Sequence, residues 1–119
     1  MHIKDLQSFE LEFLNFVNSY VKNIGGKGPK STEVRFVKDT IIYYLYGILT
    51  ERERKLIQKP EGENLVVESR RVFLDLDREN RINQFQEFLN CEIIESYESW
   101  NLETDSAVGI FKLQEEIFG

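Results

Sequence analysis

The chain has one cysteine (Cys91), one histidine (His2) and two prolines (Pro29 and Pro60) in 119 residues. A single thiol excludes a disulfide framework and any zinc site of the Cys-x-x-Cys type. A single imidazole excludes His-rich metal sites and argues against a Ser/His/Asp triad. Long apolar runs are also missing. The longest, Ile41 to Leu49, is nine residues, where a membrane-spanning helix needs about 20. The N-terminus passes directly into an amphipathic segment carrying acids, so no secretory signal is read. Scarce cysteine fits a reducing compartment. These absences lead to a cytoplasmic protein with no direct membrane insertion, no metal and no cofactor.

What is present suits one soluble domain. Hydrophobic residues make up 41% and charged residues 30%, with a net charge of −6. Residues 3–24 read as a helix. Leu6, Phe9, Phe13, Phe16, Val17, Tyr20 and Ile24 recur at three- and four-residue steps, while Leu11, Leu14 and Val21 lie off that stripe. A helix apolar over more than one face suggests cover by a second subunit. Gly25 to Pro29 ends it, with Gly25 expected in the left-handed position past the last turn. Residues 32–38 and 40–49 read as a β-hairpin. Its second strand is apolar on both sides, with Ile41, Tyr43 and Leu45 on one and Ile42, Tyr44 and Tyr46 on the other. Gly47 marks a bend or a close backbone approach.

Thr50-Glu51-Arg52-Glu53 has the form of a capping box. It opens a short helix, 51–58, and a longer one follows over about 62–89, with a kink expected near Glu79-Asn80 where the apolar phase drifts. Asn90 is a candidate left-handed cap. Residues 91–100 and 106–113 read as a second hairpin, with Ile93 and Tyr97 on one face and Ile94 and Trp100 on the other. Gln114 to Gly119 reads as a tail or short helical turn. The expected fold is α+β: an N-terminal helix, a β-hairpin, two helices and a β-hairpin, forming a four-stranded antiparallel sheet covered by helices.

Two clusters are candidate sites. Lys27, Gly28 and Lys30, in the Gly26-Lys27-Gly28-Pro29-Lys30 loop, could cradle an anion; the loop reads first as a helix stop and connector. It is not a P-loop, because Gly28 stands where Ser or Thr is required. Phe13, Tyr20, Tyr43, Tyr44 and Tyr46 are candidate interface residues, since tyrosine buries ring area while keeping a polar tip. Whichever sheet face meets the helices would use its share as core. Charge is uneven. Residues 22–38 carry five bases against Glu33, whereas residues 91–111 carry five acids and no base. The basic stretch is short and lacks a recognisable motif, so nucleic acid is not an expected partner. No base, nucleophile or metal set supports catalysis. Cys91 reads as a small hydrophobe far in sequence from His2.

Three elements carry a family resemblance. Gly26-Lys27-Gly28-Pro29-Lys30 precedes a strand; Gly47-Ile48-Leu49-Thr50-Glu51-Arg52-Glu53 closes the hairpin and opens a helix; Glu61-Gly62-Glu63-Asn64-Leu65-Val66 begins the long helix ahead of Arg70-Arg71. In this order they resemble the MpsC-like family, a component of a Na+-translocating membrane-potential-generating system. The resemblance spans about residues 5–113. It implies a small cytoplasmic protein associated with cation or bicarbonate transport, and it brings no catalytic residues. The expectation is therefore a non-catalytic accessory or regulatory homodimer, with a membrane transporter as a possible partner. The alternative is a soluble small-molecule or anion sensor.

Overall fold

The computed structural model describes residues 5–117. The order is α1 (Leu6–Gly25), β1 (Ser31–Val37), β2 (Thr40–Tyr46), α2 (Glu51–Leu56), α3 (Pro60–Leu89), β3 (Ile93–Asn101) and β4 (Ser106–Leu113). The fold is α+β with a four-stranded antiparallel sheet. The chain divides into two units, one of α1 and the sheet, the other running from Leu49 to Leu89.

In the first unit, Asp5 caps α1 by accepting from the Ser8 amide at 3.2 Å, so the helix begins at Leu6. Residues 3 and 4 of the expected helix lie outside the described residues. The left-handed residue after α1 is Gly26, not Gly25, and its amide donates to the Lys22 carbonyl at 2.9 Å.

The sheet order is β1-β2-β4-β3. Register places Val34 beside Tyr43 and Gly109, and Phe36 beside Ile41 and Phe111. This is the face α1 covers. Phe9 and Phe13 each meet Phe36 edge-on with centroids 5.5 Å apart, and Phe13 lies 6.5 Å from Tyr43. Phe13, Ile41 and Phe111 have no exposed surface. Polar bonds fix α1 in the same place: the Phe36 amide donates to Glu10 at 3.1 Å, and the Thr32 hydroxyl donates to Asn18.

A bulge falls in β3 between Ile93 and Glu95. One extra residue reverses the side-chain alternation beyond it. Ile93 is buried and Ile94 exposed, but Tyr97 then pairs with Ile110 on the uncovered face and Trp100 with Ala107 on the covered one. Ile93 and Tyr97 therefore do not share a face.

In the second unit, Thr50 and Glu53 form the full capping box at 3.1 and 3.0 Å. α3 starts at Pro60 rather than 62. Proline suits a first helical position because its absent amide would have no partner there. α3 runs 30 residues without a break near Glu79. No Pro or Gly follows Gly62 within it, and side chains bridge the suspect turn: Arg81 to Asp77 at 3.3 Å and Gln84 to Asn80 at 3.1 Å. Among the described residues no helix is long and apolar enough to cross a membrane.

Candidate functional site

The glycine loop closes onto the end of β2. Gly47 adopts φ +69, and a Cβ there would stand 2.5 Å from Lys30 Cγ. Only glycine accommodates both the left-handed backbone and the lysine stem. Each polar group of Gly47 is used. Its amide donates to the Asp105 carbonyl at 2.8 Å, and its carbonyl accepts from Lys27 Nζ at 3.2 Å. The Lys30 amide donates to the Tyr46 carbonyl at 2.7 Å. A Cβ on Gly28 would make only ordinary contacts, 3.8 Å to Lys22 Cβ and 3.9 Å to the Asn18 carbonyl. The candidate anion residues Lys27, Gly28 and Lys30 thus lie together in one loop, where the Lys27 ammonium and the Lys30 amide and stem meet the strand end. Among the described residues no group of three His, Cys, Asp or Glu gathers as a metal site.

The five interface candidates separate. Phe13, Tyr20 and Tyr43 are buried inside the protomer at 0%, 5% and 6% exposure. They form its own core because α1 occupies that face of the sheet, so they are not available to a second subunit. Tyr44 and Tyr46 stand on the opposite face, 43% and 38% exposed, their rings stacked 6.3 Å apart.

That opposite face has an order that the register reveals. One row across the strands reads Arg35, Ile42, Ile110, Tyr97, and the next reads Glu33, Tyr44, Val108, Ser99. In these two rows apolar side chains fill the two central strands, and the charged groups lie on the β1 edge. Toward one end Lys112 meets Asp39 at 2.9 Å. The hydrogen bond from Lys112 lowers the Asp39 pKa, and the bond to Asp39 raises that of Lys112. The Tyr97 hydroxyl donates to Glu95 at 2.6 Å, and this bond to a carboxylate raises the tyrosine pKa. Sequence reasoning missed Val108, Ile110 and Tyr97 as members of this surface. The alternation of β4 held the signal for the first two; the bulge hid the third.

The second unit carries a partly buried ion pair. Arg70 Nε and Nη2 grip the two Glu53 oxygens at 2.8 and 2.7 Å, with side chains 23% and 18% exposed. Desolvation pushes the Glu53 carboxyl up, but the Arg70 bonds and the Thr50 amide outweigh it and leave the pKa below its ordinary 4.5.

The family comparison bears directly on these contacts. A family model described as Na+-translocating membrane potential-generating system (MpsC) matches residues 6–115. The chain belongs to the MpsC family. The uncharacterized protein YrhF of Bacillus subtilis (strain 168) is 25% identical over 107 residues, covering 89% of this chain and 88% of YrhF. No solved structure matches the chain. The short elements by which the sequence resembles the MpsC family have structural work here. The Gly26–Lys30 loop holds Gly47, and Glu53 holds Arg70.

The Glu53–Arg70 pair supports a pH prediction. A carboxylate whose pKa is lowered by folding stabilises the native state above its unfolded pKa, and that contribution is lost as pH falls through the folded value. Arg70→Ala leaves a half-buried carboxylate without its main partner and is expected to cost about 1–3 kcal/mol at pH 7. The gap between wild type and variant should narrow below pH 4.5, as Glu53 protonates in both. Urea unfolding at pH 7 and at progressively lower pH measures it. A gap that stays constant into strong acid would contradict the role given to Glu53.

Proposed function

We propose that this MpsC-family chain is a non-catalytic accessory or regulatory component of a membrane cation or bicarbonate transport system, acting from the cytoplasm as a homodimer. The observation that carries the reading is the uncovered sheet face, where Ile42, Tyr44, Val108 and Ile110 lie side by side with Tyr44 43% exposed. An apolar sheet face of that composition supports a role in protein contact. The engagement of Lys27 with the Gly47 carbonyl supports contact rather than anion sensing as the chain's work. The family description supports the membrane system as the setting.

The test combines association with physiology. The tagged chain, recovered from gently solubilised membranes of its own host, should bring down cation-transport subunits. Deletion of its gene should alter growth dependence on sodium or bicarbonate. Recovery of no such subunit, together with unchanged dependence on both ions, overturns the reading.

A further inference from the structure

The uncovered face of the sheet differs in charge from the rest of the molecule. The chain carries −6 overall. The charged side chains on this face, by register, are Glu33 and Arg35 on β1, Glu95 on β3 and Lys112 on β4. With Asp39, which Lys112 meets at one end of the face, these groups sum to −1, so the face holds little of the negative excess that would repel another copy.

Its apolar part is central. Ile42 and Tyr44 of β2 lie directly beside Ile110 and Val108 of β4. These four side chains occupy the middle two strands of four. A two-fold axis parallel to the sheet, above that centre and midway between two stacked layers, places the same four residues of one copy over the same four of another. That is the self-complementarity of an isologous interface. Packing sheets face to face at about 10 Å is an ordinary way to bury such a layer.

The sheet edges, by contrast, are protected. β1 carries Glu33 and Arg35 with Lys38 just beyond it, and β3 carries the bulge at Ile94 with Glu95 and Glu98. Charges and bulges on edge strands oppose edge-to-edge pairing. The face remains as the route to association. Four strands about 4.8 Å apart and seven residues at about 3.3 Å make a flat area of about 400 Å². Side-chain relief increases it, bringing two copies together toward the ~1,000 Å² that a specific interface needs.

We infer that the β2–β4 face is the dimer interface, occupied by the same face of a second copy, with Ile42, Tyr44, Val108 and Ile110 at its centre. This rests on the homodimer reading above and specifies its surface. The second unit offers a rival, an exposed stripe on α3 made by Leu65, Val72 and Leu76. Glu61 and Glu79 flank it as acids, while Glu68 and Asp75 are both paired with Arg71, so the stripe stands as the alternative that the experiment below separates.

Sedimentation velocity of the full chain across micromolar concentrations separates the cases, with circular dichroism and melting as checks on folding. The wild type should sediment at about twice 14.1 kDa. Tyr44→Lys and, separately, Val108→Lys should weaken dimerisation at least about tenfold while secondary structure is kept, because each places an ammonium at the centre of the contact. Leu76→Lys should leave the dimer intact. A wild-type dimer that survives folded Tyr44→Lys and Val108→Lys overturns the assigned face while leaving the homodimer standing. Loss of the dimer in Leu76→Lys instead assigns it to α3. A wild type that is monomeric throughout the range overturns both the assigned face and the homodimer.

Discussion

Phe13→Ala should lower stability by about 3–5 kcal/mol, the range for truncating a fully buried phenylalanine. Phe13 has no exposed surface and packs edge-on against Phe36 and beside Tyr43. It joins α1 to both strands of the first hairpin, so its loss opens a cavity between helix and sheet. Small domains are stable by only about 5–15 kcal/mol in all. The variant should therefore lose a large share of its stability, and its urea midpoint should fall steeply. Leu11→Ala is the control: Leu11 is 59% exposed on the same helix and should change stability by less than about 1 kcal/mol. Equal losses from the two variants would show that α1 is not seated as described.

Gly62→Ala should destabilise the helical unit although alanine is the better helix former. The propensity gain is about 1 kcal/mol. Against it, a Cβ at Gly62 would stand 1.9 Å from the Leu56 carbonyl oxygen and 2.7 Å from its carbon. These are backbone atoms, so no rotamer change relieves the overlap. α2 must shift away from the start of α3, and overpacking of this kind costs typically about 1–3 kcal/mol or more. The expected sign is a net loss of stability, with reduced helical circular dichroism on heating. A melting temperature raised by the substitution would show that the two helices do not approach so closely.

How much of this was legible in the sequence depends on how far each cause reaches along the chain. The capping box at Thr50 is readable because both of its hydrogen bonds span three residues. The partner of Glu53 is not, because Arg70 lies 17 residues away. The bend at Gly47 is readable from composition; what crowds it, the Lys30 stem, is visible only when loop and strand are side by side. The apolar phase near Glu79 suggests a kink, yet local side-chain bridges and an unbroken run of helix-compatible residues keep α3 continuous. A period-two reading of β3 fails at Ile94 because a single inserted residue exchanges inside and outside for everything after it.

The same limit applies to the candidate site. The two apolar sides of β2 are plain in Ile41 to Tyr46, but nothing in that stretch says which side α1 will take. α1 takes the side of Ile41, Tyr43 and Leu45. Phe13, Tyr20 and Tyr43 then belong to the interior, and the outward pair is Tyr44 and Tyr46. The apolar excess of the first helix is largely answered within the chain, and the excess of the strand is answered only on one side.

The strand order also governs how the molecule reaches its native state. The two hairpins close locally, but the central β2–β4 ladder joins residues sixty or more positions apart. Bringing such distant segments together carries a loop-closure cost that neither hairpin can offset alone. Assembly of the sheet should therefore limit the refolding rate, slower than for a helical chain of equal length. Until β4 joins β2, the ladder side of each hairpin lies open to pairing with other chains during synthesis.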